Sequence, residues 1–125
     1  MRNYLRARLR SVGHALRGLR HLLSTESHAR IHGLATVIVF AAAAVLDVSA
    51  RDWGLLLLAT GLVWTAEAFN TAIERVVDLY SAETSELARQ AKDVAAAAVL
   101  LAAIAAAAVG LIVFVPAVMA FLQMW

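Results

Sequence analysis

Four polar side chains recur on one face of a stretch that is otherwise apolar. At the rotation of about 100° per residue in an α-helix, they fall within roughly an 80° arc; they are Glu67, Asn70, Glu74 and Asp78. A carboxylate inside a membrane is costly and usually marks function. The pattern is typical of phosphoryl transfer, of a transporter with a proton-carrying Glu67, or of hydrogen bonds that only join helices. The spacing leaves all three open.

Depth along the helix divides the acids into two levels. By helical rise, Glu67 lies about 10 Å deeper than Glu74. Glu26, Lys92 and Asp93 flank other apolar stretches and are expected at the level of Glu74. Mg²⁺ binds through a few carboxylates together with phosphate oxygens, so Glu26 and Glu74 are suited to hold it. Lys92 would offset phosphate charge, and Glu67 would accept the proton of a lipid hydroxyl.

The composition shows which elements must position these residues. Of the 125 residues, 62% are hydrophobic and 16% are charged, whereas soluble domains average roughly 45–50% and about 25%. A chain of this length holds one domain at most. The sequence therefore predicts one all-α membrane domain over residues 1–125. The chain has no cysteine, which excludes disulfides, zinc thiolates and a thiol nucleophile.

Three long apolar stretches predict three transmembrane helices. The stretches are 31–46, 53–73 and 94–125. The helices that contain them are expected to cover about 29–47, 53–78 and 85–125. Thr84 or Ser85 is the expected N-cap of the last helix, because a serine or threonine side chain can accept a hydrogen bond from a free backbone N–H.

Residues 1–25 predict an amphipathic helix that lies on the membrane surface. Apolar residues recur there in steps of four and three, at Leu5, Leu9, Val12, Leu16, Leu19 and Leu23. The same segment has six arginines and no acid, which favours an anionic membrane surface. A nucleic-acid-binding arm is the weaker alternative, because the regular apolar stripe argues against it. No nucleic-acid partner is expected.

The distribution of basic residues predicts the orientation. Seven Lys/Arg residues precede the first apolar stretch, and three lie between the second and the third. Only Arg51 falls on the other side. Because basic residues favour the cytoplasmic side, the N-terminus is expected in the cytoplasm and the C-terminus outside.

Two sequence blocks resemble the prokaryotic diacylglycerol kinase family, which includes undecaprenol kinases. The first block covers 67–78 and reads EAFNTAIERVVD, and the second covers 91–100 and reads AKDVAAAAVL. Both blocks are highly specific. Supporting matches come from Ser11-Val12, Gly18-Leu19 and Glu26 with Arg30-Ile31-His32, so the resemblance covers nearly the whole chain.

The resemblance implies an ATP-dependent lipid kinase of the bacterial inner membrane, with Mg²⁺ as cofactor. It implies a homotrimer of three-helix subunits whose active sites are shared between neighbouring subunits. The implied product is phosphatidic acid from diacylglycerol or undecaprenyl phosphate from undecaprenol. The segments 30–32, 61–63 and 109–116 look slightly more like the undecaprenol kinases.

The resemblance also implies roles for individual residues. Glu67 is the expected general base and Asn70 a core active-site residue, and Glu26 and Glu74 would hold the ATP-bound metal ion. The expected ATP contacts are His14, Glu26, Glu74, Glu83, Lys92 and Asp93, and the expected lipid contacts are Arg20, Arg30 and Glu67. Four positions depart from the family pattern, namely His14, His28, Arg75 and Ser85.

Overall fold

The computed structural model describes residues 1–80 and 85–123, without the side chains of residues 2, 3 and 5. In these ranges the chain forms four α-helices and no strand. They are α1 (Arg2–Thr25), α2 (Ser27–Val45), α3 (Ala50–Tyr80) and α4 (Glu86–Leu122).

Helices α2, α3 and α4 are each long and apolar enough to cross a membrane. The predicted all-α class with three candidate spans is confirmed. The observed bounds differ from the expected ones by up to three residues. Helix α2 begins at Ser27, before the apolar stretch, and α3 extends from Ala50 to Tyr80 through the whole polar face. One rigid helix therefore spans both levels of the predicted site.

Serine side chains cap the N-termini of α3 and α4. The Ser49 hydroxyl accepts a hydrogen bond from the backbone N–H of Asp52 at 3.2 Å and donates one to the Asp52 carboxylate at 2.6 Å. Ser85 accepts from the backbone N–H of Ala88 at 3.5 Å, so the predicted cap at Ser85 is confirmed. Each cap satisfies a backbone donor that the first helical turn leaves unpaired. Thr84, the alternative cap, lies outside the described residues.

Helix α1 joins α2 at a single extended residue. Glu26 has φ −95° and ψ 122°, which ends α1 and places the Glu26 side chain at the corner between the two helices. Leu22 of α1 is buried, whereas Leu9, Val12 and Leu16 of the predicted stripe are exposed. We expect this stripe to lie against a membrane surface, and the role of α1 as an amphipathic surface helix stays a prediction.

The three long helices are held together at one end by a small apolar cluster. Ala43, Val48, Leu56 and Val113 are buried there. The rings of Phe40 and Trp53 pack beside them at 5.6 Å between centroids. We call this cluster the apolar end. It fixes α2, α3 and α4 relative to one another where the chain turns between α2 and α3.

Most other large apolar side chains face outward. Val37 on α2, Leu58 on α3 and Leu101 on α4 are all more than half exposed. Apolar side chains cannot cover so much of the outside of a protein in water without driving association. A lipid environment or further protein chains are the surroundings that this surface fits.

Candidate active site

Glu67 is the one buried acid in the described part of the chain. The buried positions of α3 recur every three or four residues and are Leu56, Ala59, Val63, Glu67 and Thr71. Glu67 thus occupies a core-facing position that the helical period would give to an apolar residue. Its side chain is 3% exposed. No described residue donates a hydrogen bond to its carboxylate, and a buried acid without a partner is costly.

Asn70 lies one turn further along the same face. The amide nitrogen of its side chain has a hydrogen-bond partner, and the amide oxygen has none among the described residues. Its Nδ2 donates to Oε1 of Glu74 at 3.0 Å. Its Oδ1 is buried and has no hydrogen-bond partner among the described residues. Asn70 also lines an open-sided groove of about 530 Å³ between α3 and α4. A buried acceptor without a partner is costly, so this oxygen is suited to a donor that the described part of the chain does not supply.

Glu26, at the corner between α1 and α2, is tied to α3. Oε1 of Glu26 receives a hydrogen bond from Nη2 of Arg75 at 3.2 Å and one from the Thr25 hydroxyl at 3.1 Å. The same Nη2 donates to the Thr25 hydroxyl at 3.1 Å. This ion pair joins Glu26 to the polar part of α3, whereas its placement at the level of Glu74 stays a prediction.

Lys92 of α4 completes the polar group. Its ammonium lies 2.5 Å from Oδ1 of Asp78. This hydrogen bond is the main cause that raises the pKa of Lys92 above its ordinary value, and the negative charge of Glu74 adds to the effect. Lys92 precedes the apolar part of α4, which begins at Val94. The lysine therefore stays positively charged at neutral pH and can oppose phosphate charge.

The structure brings together only part of the predicted site. We call Glu26, Glu74, Arg75, Asp78 and Lys92 the polar end. Three other predicted residues are exposed on α1 and α2, and their side chains form no hydrogen bond or ion pair with the described residues of the polar end; they are His14, Arg20 and Arg30. No hydrogen bond or ion pair joins the described residues of α1 to those of α4. The roles of these three residues stay predictions.

Two further predicted residues belong to the region where α4 begins. Asp93 is exposed and pairs with Arg89 at 2.6 Å. Arg89 also pairs with Glu86, one turn earlier, at 2.6 Å. Asp93 is thus bonded within its own helix and not to the polar end. Glu83 lies outside the described residues.

Sequence reasoning missed the part that Arg75 plays. The sequence showed Arg75 as one of the basic residues that set the orientation and as a departure from the family pattern, whereas the structure makes it the link between Glu26 and α3. The partners are 49 positions apart, so no helical period could show the contact. The one available signal was that Arg75 directly follows Glu74.

The polar end has oxygen atoms that suit Mg²⁺ but does not form a complete metal site. Glu26 and Glu74 each use Oε1 in the hydrogen bonds above, and their Oε2 atoms accept none from described residues. In the described ranges no group of three or more His, Asp or Glu residues could hold a metal ion. Two carboxylates fit a Mg²⁺ ion that arrives with phosphate oxygens and water as its other ligands.

Comparison with known proteins decides the family. The profile of the prokaryotic diacylglycerol kinase family matches residues 13–114. The chain belongs to this family. The matched range includes the described polar end together with Glu67 and Asn70.

Three relatives from the family show how far the similarity extends. The chain is 35% identical to an undecaprenol kinase of Bacillus subtilis over 92% of its own length and 94% of that protein. It is 45% identical to a diacylglycerol kinase of Synechocystis over 80% of its length and 58% of that protein. It is 39% identical to a diacylglycerol kinase of Escherichia coli over 78% of its length and 80% of that protein.

Proposed function

We propose that this protein is a membrane lipid kinase that transfers the γ-phosphoryl group of ATP to a lipid hydroxyl. The observation that carries the proposal is the position of Glu67, a buried acid on the same helical face as the polar end. A lipid hydroxyl reaches such a group from the membrane, while ATP reaches the polar end from water. The names of the relatives support the same class of reaction.

In the proposed mechanism, each described residue has one task. Glu67 accepts the proton of the lipid hydroxyl as its oxygen attacks the γ-phosphorus, the bond from that phosphorus to the β,γ-bridging oxygen breaks, and ADP leaves; this is general base catalysis. Asn70 keeps Glu74 in place through its Nδ2, and its buried Oδ1 is left without a partner among the described residues. Lys92 opposes the charge of the phosphates. A Mg²⁺ ion held by Glu26, Glu74 and the nucleotide would supply further neutralising charge.

Further parts of the proposal concern the assembly and its surroundings. We place the protein in the bacterial inner membrane, with the N-terminus in the cytoplasm and the C-terminus outside, from the distribution of basic residues. We also propose a homotrimer with shared sites. The exposed apolar surface supports this, because further copies of the chain could cover part of it.

Two acceptors fit the proposal. Diacylglycerol would give phosphatidic acid, and undecaprenol would give undecaprenyl phosphate. The relative matched over 94% of its length is an undecaprenol kinase, whereas the other two are diacylglycerol kinases. Both lipids present one hydroxyl at the membrane interface, and Glu67 can serve either.

A transfer assay tests the function and identifies the acceptor. Purified full-length protein in detergent is incubated with Mg²⁺, γ-labelled ATP and either diacylglycerol or polyprenols of several lengths. We expect label in the phosphorylated form of one lipid class, and no label after chelation of Mg²⁺. A protein that labels no lipid alcohol, although it is folded, would contradict the proposal.

A further inference from the structure

Arg75 and Glu26 form one of only two ion pairs that join different helical segments among the described residues. The other is Lys92 with Asp78, and the remaining pairs lie within α4. The side chains of Arg75 and Glu26 are 46% and 27% exposed. A pair this accessible is worth little as a structural bond. Because Glu26 is also a proposed metal ligand, the pair is more suited to a role in ligand binding than to one in stability.

The guanidinium of Arg75 and a metal ion would compete for the same carboxylate. Nη2 of Arg75 lies 3.2 Å from Oε1 of Glu26. The pair therefore places one positive charge at Glu26, one of the two proposed ligands. Two positive charges at this distance repel each other. A divalent cation that binds Glu26, even through its unbonded Oε2, is therefore held more tightly once the guanidinium has moved away.

We infer that Arg75 is a positioning residue that exchanges partners. Without nucleotide, it holds Glu26 in the place of the metal ion; when the nucleotide binds with its metal ion, Arg75 releases Glu26 and binds the phosphates. This inference rests on the proposed function. Arginine suits the exchange because its planar group can bind a carboxylate or a phosphate through two parallel N–H donors.

The surroundings of Arg75 leave room for this movement. Arg75 lines an open-sided cavity of about 770 Å³ between α1, α2 and α3. Small side chains, Ala68 and Ala72, lie along the same helix, and Gly18 faces them from α1. A long side chain at the edge of such a cavity can turn without displacing a packed neighbour. The contact with Glu26 is thus one of several positions open to it.

The exchange predicts opposite effects on two ligands when the charge is removed. Arg75→Gln should bind Mn²⁺ alone about tenfold more tightly, because the competing charge is gone. The same variant should bind the Mg²⁺ complex of a non-hydrolysable ATP analogue about tenfold more weakly, because a phosphate partner is lost. A tenfold change is about 1.4 kcal/mol, which is reasonable for one charge at a partly exposed site. Arg75→Lys should keep Mn²⁺ binding unchanged and lose less nucleotide affinity.

The measurements use purified full-length protein in detergent at low salt, where charges are screened least. Electron paramagnetic resonance reports Mn²⁺ binding, and calorimetry reports the binding of the nucleotide analogue. Arg17→Gln is the matched control, since it removes the same charge from α1 and forms no ion pair with a described residue. The combined fluorescence of the three tryptophans, of which Trp64 lines the same cavity, shows that each variant is folded. Arg75→Met, which keeps an apolar stem, repeats the test if Arg75→Gln does not fold.

The outcomes separate this inference from the proposed function. If Arg75→Gln leaves both affinities unchanged, the exchange is wrong. It is also wrong if both affinities fall together, as they would if Arg75 had only a structural role. In either case, lipid labelling by the unaltered protein would still support the proposed kinase activity. If the unaltered protein neither binds the analogue nor labels lipid, the proposed function itself fails and the exchange with it. Opposite shifts in Arg75→Gln, absent from Arg17→Gln, support the exchange.

Discussion

The apolar end and the polar end of the bundle are built from the same helices but are packed in different ways. At the apolar end, Ala43, Leu56 and Val113 are buried against one another. At the polar end, the cross-helix contacts are two ion pairs whose side chains are between a quarter and two thirds exposed. Helix α3 runs through both without a break. One end can therefore hold the helices in register while the other keeps groups free to bind ligands.

Between the two ends lie the groups that cost stability. Glu67 is buried without a described partner, and Asn70 keeps a buried oxygen unpaired. Such groups persist where the surrounding packing fixes them, and they are typical of functional sites. On α3, the buried positions on either side of Glu67 are Val63 and Thr71. The comparison predicts that substitutions near the polar end change activity, whereas those at the apolar end change stability.

The largest expected effect comes from removing the buried acid. Glu67→Gln keeps the shape of the side chain but cannot accept a proton, so we expect lipid phosphorylation to fall by about 10²-fold or more. Analogue binding should be nearly unchanged, and resistance to unfolding should not fall, because a costly buried acid is removed. The measurement is the initial rate of label transfer from ATP to lipid. Glu86→Gln, an exposed acid on α4, is the control and should change the rate less than about twofold. A Glu67→Gln protein with unaltered turnover would remove Glu67 as the base.

The next effect is on stability and belongs to the apolar end. Leu56→Ala removes a buried side chain from the cluster and should lower the free energy of unfolding by about 1–3 kcal/mol. This loss is in the lower part of the range known for buried leucines in soluble proteins. The reason is that helices in lipid associate without the hydrophobic driving force that water supplies. Unfolding by SDS in mixed micelles measures the change. Leu58→Ala is the control, because Leu58 is 73% exposed on the same helix. Equal losses in the two variants would show that the cluster does not hold the bundle.

The smallest expected effect compares the two serine caps. Ser49→Ala, at the apolar end, breaks two hydrogen bonds to Asp52 and should cost about 1 kcal/mol. Ser85→Ala breaks one long bond to Ala88 and should cost about half as much, since a 3.5 Å contact is near the limit of a hydrogen bond. The same SDS unfolding measures both. A larger loss in Ser85→Ala would mean that the start of α4 matters more to the fold than the turn between α2 and α3.

Much of this arrangement could be predicted from the sequence, because helical order is local. Apolar length predicted the three spans, and a rotation of about 100° per residue placed Glu67, Asn70 and Glu74 on one face. The cap at Ser85 followed from the chemistry of a serine before a helix. Each of these inferences needs only residues within a few turns of one another.

The tertiary structure alone decided which of these groups are buried and which are paired. It turned Glu67 inward while leaving Asp78 at the surface, where Lys92 reaches it. It also joined Arg75 to Glu26 across 49 positions. Such contacts depend on how the helices pack and turn against one another, and the period of a single helix does not contain that information. The sequence determined where the helices form and which residues share the polar face. The packing of the helices determined which of those residues are buried and which partners they bind.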